Sequence, residues 1–160
     1  MFNRLFNEIY FKRKKGEIRR GRSKLRRMKV DVILRILQKN CNNKQINYSV
    51  IEKNWDSILV LLKGKNDKIL FKYHRTGMVF HEHYEEFLNQ MKIYGGNKGV
   101  YITTGVFEVG LHKMENRTWF YKKVLLEDYS YFLKKQLGLK GKVSEIFKNK
   151  KLNFYRYLPR

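Results

Sequence analysis

The stretch from Trp55 to Phe107 constrains this chain more than any other. Two apolar runs, Asp56-Ser57-Ile58-Leu59-Val60-Leu61-Leu62 and Lys68-Ile69-Leu70-Phe71-Lys72-Tyr73-His74, flank Lys63-Gly64-Lys65-Asn66-Asp67. A short, charged, glycine-bearing loop between two such runs predicts a β-hairpin. Ile58 to Leu62 is apolar at every position, so its strand is expected to be covered on both faces. From about Phe80 to Ile93, Phe80, Tyr84, Phe87, Leu88 and Met91 recur on one side of a helix, and His81, Glu82, His83, Glu85, Glu86, Asn89 and Gln90 fill the other. Tyr94-Gly95-Gly96-Asn97-Lys98-Gly99 stops that helix, and Val100 to Thr104 reads as the next strand. A hairpin, a crossover helix and a further strand make a small α/β unit.

The rest of the chain supplies more helices and strands. Phe2, Leu5, Phe6, Ile9 and Tyr10 have helical spacing, and Gly16 and Gly21 interrupt the basic block that follows, so part of it is expected to be a mobile arm. Ser23 to Lys39 reads as a helix capped by Ser23, with Val30, Ile33, Leu34 and Leu37 on one face and Asp31 as its only acid. Gln45 to Lys53 alternates like an edge strand. Gly105 to Lys113 suggests a loop into a short helix, and Arg117 to Leu126 a strand carrying Trp119 and Tyr121. Asp128 is a fitting cap for a helix over Tyr129 to Leu137 closed by Gly138. Phe154, Tyr155, Tyr157 and Leu158 are expected to pin a basic tail to the body. The expected organisation is a basic N-terminal extension over 1–22, one domain over 23–139 and a packed tail over 140–160.

Charge narrows the function. Lys and Arg number 36 against 14 Asp and Glu, a formal charge of +22, which predicts attraction to a polyanion. Lys12, Arg13, Lys14, Lys15, Arg19, Arg20, Arg22, Lys24, Arg26 and Arg27 are the candidate phosphate contacts, opposed only by Glu17. The expected partner is nucleic acid, double-stranded DNA first, with a membrane surface touched by the N-terminal helix second. No apolar run approaches the ~20 residues of a bilayer span, so no stable membrane insertion is expected. Met1 to Tyr10 is too polar for a signal peptide. Cys41 is the single cysteine and excludes an internal disulfide, so a cytoplasmic protein is expected.

Asp56 at the head of one hairpin strand and Lys72 near the end of its mate resemble the metal-site hairpin of the restriction-endonuclease-like superfamily, PD-(D/E)xK. Lys98-Gly99-Val100-Tyr101-Ile102-Thr103-Thr104-Gly105-Val106-Phe107 is similar to the glycine-led "ITT" strand of its Mrr-like branch, and Val124-Leu125-Leu126-Glu127-Asp128 to that branch's last strand. The resemblance covers about residues 24–139. It implies a three-layer α/β/α core with a central mixed sheet in αβββαβ order, and DNA cleavage with Mg2+ or Mn2+. It further implies that Asp56 is the strand acid, Lys72 the motif lysine and Asp31 the counterpart of a helix glutamate, with homodimers common among such folds. The position two before the lysine holds Leu70, where the pattern asks for Glu, Asp or Gln, and a leucine cannot ligate a hard cation. Two readings follow. Either Glu82, Glu85 or Glu86 from the crossover helix completes a metal shell with Asp56 and Asp31, Glu86 also serving catalysis, or the fold persists as a catalytically inactive DNA-binding accessory.

Other features carry less. His81 and His83 stand two apart on a helix and point in different directions, which favours surface histidines over a metal pair. Neither a P-loop nor a GxGxxG sequence occurs. Trp55, Tyr73 and His74 are read as packing residues beside the hairpin.

Overall fold

The structure is a computed structural model and describes residues 2–111, 123–148 and 151–160, without the Lys123 side chain. It is an α/β fold with a mixed central sheet and, among the described residues, five α-helices. Their order is α1 (Phe2–Arg27), α2 (Val30–Asn43), β1 (Asn47–Lys53), β2 (Ser57–Lys63), β3 (Lys68–His74), β4 (Met78–Val79), α3 (His81–Tyr94), β5 (Lys98–Thr103), β6 (Val106–Phe107), β7 (Lys123–Glu127), α4 (Tyr129–Leu137) and α5 (Val143–Lys148). A short 3-10 turn follows at Tyr155–Tyr157. The main sheet runs β1-β2-β3-β5-β7, and β4 pairs with β6 in a small separate ribbon. β1, β2 and β3 are antiparallel neighbours, whereas β3, β5 and β7 run parallel. The helix α3 supplies the crossover that a parallel β3–β5 pair demands.

Alternation along the strands divides the core in two. Ile58, Val60, Leu62, Ile69, Phe71 and Tyr73 face one layer, with α1, α2, α4, α5 and the C-terminal tail. Leu59, Leu61, Leu70 and Tyr101 face the other, with Tyr84, Phe87 and Met91 of α3. Gly99 lets α3 lie close on the sheet, because a Cβ there would lie 2.8 Å from Met91 Sδ and 2.9 Å from Phe87 Cε1.

The N-terminal segment departs from expectation. α1 is one continuous helix of 26 residues that passes through Gly16, Gly21 and Ser23, and α2 begins only at Val30. Glycine costs a helix interior about 1 kcal/mol relative to alanine, and here packing offsets it. Tyr10, Ile18, Gly21 and Leu25 form the buried stripe of α1, and a Cβ on Gly21 would fall 2.8 Å from Leu133 Cδ1 of α4. Gly21 is therefore a contact surface, where the sequence suggested a break. Glu17 fastens the same helix to α5 by accepting the Val143 N–H at 2.8 Å.

Other expectations fit the coordinates. Asp128 accepts the Tyr131 N–H at 3.0 Å as the cap of α4, and Gly138 ends that helix at φ 59°. Phe154 and Tyr157 are buried in the tail, where Tyr157 donates to Glu127 at 2.5 Å and Asn40 Oδ1 accepts the Phe154 N–H at 2.6 Å. Between Gly105 and Leu111 the chain forms β6 and then a turn; Trp119 and Tyr121 lie outside the described residues. No helix among the described residues is long and apolar enough to cross a membrane.

Candidate functional site

The site grows out of one row of cross-strand partners. Glu52 stands opposite Leu59, Leu59 opposite Lys72, and Lys72 opposite Tyr101. All belong to the face that packs on α3. Glu52 reaches that row because β1 carries an irregularity between Val50 and Glu52, and such bulges re-aim side chains. Lys72 is 6% exposed, with its ammonium 5.5 Å from the centre of the Tyr101 ring. Burial pushes its pKa down, and the charges of Glu86, Glu52 and Asp56 pull the other way.

Two residues further along β3, on the same face, stands His74. Its Nδ1 lies 2.8 Å from the Tyr101 hydroxyl, and its Nε2 lies 3.6 Å from Asp56 Oδ2. Burial, then the Lys72 charge, pushes the His74 pKa down to about 4 against the pull of Asp56, so the ring is neutral near neutral pH. A neutral imidazole donates through one nitrogen and accepts through the other. The arrangement that satisfies both neighbours has Tyr101 donating to Nδ1 while Nε2–H faces the carboxylate. Burial and the charges of Glu86 and Asp56 raise the Tyr101 pKa, which keeps its hydroxyl protonated for that role. His83 of α3 packs edge-on against His74, with ring centres 5.2 Å apart.

Of the residues singled out in the sequence, Asp56, Lys72 and Glu86 thus share one electrostatic neighbourhood. Asp31 lies in the α2 layer, half exposed, and pairs with Lys53 of β1 at 3.2 Å. Glu82, Glu85 and Glu86 are all exposed on α3, Glu86 acting on Lys72 through its charge. Glu108 and His83 cap the start of that helix, Glu108 accepting the His81 N–H at 2.9 Å and His83 Nδ1 the Phe80 N–H at 3.0 Å. Of the basic residues, Lys14 donates to the Gly141 carbonyl, Arg20 pairs with Glu17, and Arg22 lies 4.1 Å over the Tyr129 ring. Lys12, Arg13, Lys15, Arg19, Lys24, Arg26 and Arg27 stay exposed on α1.

Sequence reasoning missed Glu52, Tyr101 and Gln90, and it took His74 for packing alone. Period-two alternation from Lys72 would have placed His74 on the same face. Trp55 is a correction in the opposite sense, since it is 78% exposed and packs in no core. A solved structure, the MspJI restriction endonuclease in complex with a 27-mer oligonucleotide, is similar to this chain. The two are 14% identical with a TM-score of 0.34; the likeness covers 96% of this chain and 36% of that one. No protein-family model and no curated protein matches the chain.

A divalent ion of the kind the resemblance implies needs several oxygen donors converging on one point. Leu70 contributes none and is fully buried in the apolar layer under α3. Among the described residues, no three His, Cys, Asp or Glu side chains are grouped so as to hold a metal ion. One further oxygen lies nearby: Gln90 donates to Glu52 at 3.3 Å while its own Oε1 is buried with no hydrogen-bond partner among the described residues.

Proposed function

We propose that this chain is a DNA-binding protein of restriction-endonuclease-like fold that holds the duplex by its phosphates without cutting it. The fold assignment is supported by the β2–β3 hairpin, the α3 crossover and the parallel β5 strand, with Asp56 and Lys72 at the motif positions. The observation that carries the non-cleaving reading is the chain Tyr101–His74–Asp56. A buried histidine faces, at 3.6 Å, one oxygen of the carboxylate that a metal would need, and Leu70 stands where the second acid belongs. The formal charge of +22 and the exposed cations along α1 support phosphate contact, which gives affinity without base readout.

Mobility-shift titration of a random-sequence duplex, in EDTA and again in Mg2+, tests this. Binding unchanged by EDTA, a steep loss of affinity with salt, and intact plasmid after incubation are the expected results. An affinity flat against salt would sink the phosphate reading. A second reading, metal-dependent cleavage, is favoured by the three carboxylates acting on Lys72 and by the unpartnered Gln90 oxygen. Plasmid nicking in Mn2+ that disappears in both Asp56→Ala and Lys72→Ala would establish it in place of the first.

A further inference from the structure

The β1–β2 turn places a bare indole beside this cluster. Trp55 immediately precedes Asp56 and is 78% exposed, the largest apolar side chain the turn could carry. A tryptophan buries some 150–250 Å² when it packs, so most of that gain is forgone here. The exposure is not looseness of the backbone, because the turn is fastened on every side. The Asn54 N–H donates to Ser57 O at 2.8 Å, and the Arg75 N–H donates to Asp56 O at 2.7 Å. The Arg75 guanidinium then donates to Trp55 O at 3.3 Å and to Met28 O, at the α1–α2 junction, at 3.2 Å. The same guanidinium lies 5.9 Å from the centre of the indole ring.

The surroundings say what would cover such a ring. Exposed Arg26, Arg27 and Lys29 flank Met28, whose carbonyl Arg75 also reaches. An exposed aromatic ring with one guanidinium against it, on a strongly basic surface, suits a polyanion that also offers flat π surfaces. Nucleic acid has both properties. In an intact duplex, however, each base already stacks on its neighbours, so an added indole gains little. The ring gains most from a base that has lost its stacking partner.

We infer that Trp55 is a stacking platform for an unpaired nucleobase, seated next to Asp56 where the backbone enters the cluster. The inference rests on the DNA-binding reading and adds a substrate class to it, DNA with a bulged, gapped or extruded nucleotide. It depends neither on base identity nor on a metal ion.

Fluorescence anisotropy of labelled duplexes tests it with the full chain, comparing a fully paired duplex with the same duplex bearing a single-nucleotide bulge. The intact protein is expected to prefer the bulged DNA by about tenfold, the scale of one base–aromatic stack. Trp55→Ala should lose that preference and keep both its affinity for paired duplex and its salt slope, whereas Trp55→Phe should keep part of the preference. Thermal melts of each variant check that the exposed position leaves the fold intact. An unchanged bulged-to-paired ratio in Trp55→Ala would overturn the platform and leave the DNA-binding reading standing. Failure of the intact protein to bind either duplex would remove both. A tryptophan emission shift with anionic phosphatidylserine vesicles, abolished in Trp55→Ala and absent with either DNA, would reassign the ring to a lipid surface and overturn the inference.

Discussion

A neutral imidazole wedged between a carboxylate and a phenol keeps its place only while it stays neutral. His74 is such a group, with its pKa pushed down to about 4 from 6.5 chiefly by burial. Below pH 6.5 the unfolded chain takes up a proton at this residue that the folded chain refuses. Stability from this source is complete above pH 6.5 and is lost as the pH falls toward 4, by on the order of 3 kcal/mol. Denaturant melts between pH 4 and 7 should show that slope, and His74→Gln should flatten it. Lys72 raises the complementary point. Its ammonium is buried against a ring with no hydrogen-bond acceptor among the described residues, so the fold bears a desolvation cost that the nearby carboxylates only partly offset. Lys72→Met fills a similar volume without the charge and should stabilise the protein by about 1 kcal/mol. A Tm that falls in this variant would mean that the lysine holds the carboxylates in place.

At the level of elements, the two helical glycines of α1 make opposite predictions from the same residue type. Nothing lies closer than 3.9 Å to a Cβ on Gly16, so Gly16→Ala should stabilise by up to about 1 kcal/mol through helix propensity alone. Gly21 meets Leu133 and Val143, so Gly21→Val overfills the α1–α4–α5 junction and should cost about 1–3 kcal/mol. Guanidinium melts of the two variants, read side by side, check both signs. The contrast also explains what was legible in the sequence. The hairpin, α3, β5 and α4 are written in local signals: alternation, a glycine stop, an aspartate cap. The course of α1 is written in a contact 112 residues away, and a glycine that permits close approach reads locally like a glycine that breaks a helix. The site divides in the same way. Asp56, Lys72 and Glu86 stand on motif positions or on a helix already anticipated, whereas Glu52 depends on a bulge in β1 and Gln90 on how α3 lies over the sheet. The bare face of Trp55 follows from the tightness of the turn and from Arg75 reaching across to Met28, neither of which a linear reading supplies.

For the whole molecule, the question is how a charge of +22 is laid out. α1 holds the largest run of it, and a helix of 26 residues is about 39 Å long, close to one turn of duplex. Tyr10, Ile18, Gly21 and Leu25 commit one stripe of that helix to the body. Lys12, Lys15, Arg19 and Arg26 follow one another at near-helical spacing on the side left in water. A rigid row of cations of that length suits one stretch of phosphate backbone, whereas a mobile arm would spread its contacts and lose entropy on binding. Each phosphate neutralised contributes about 0.9 to the slope of log affinity against log salt. Replacing Lys12, Lys15, Arg19 and Arg26 with glutamine should therefore lower the slope by about 3 to 4 and weaken binding to every sequence alike. Because these side chains are exposed, thermal stability should hardly change. Slopes measured for the quadruple variant and for one altered at the tail cations Arg156 and Arg160 would show which surface the duplex follows. If only the tail variant changed, α1 would be a structural helix that happens to be basic, and the duplex would lie across the opposite end of the sheet.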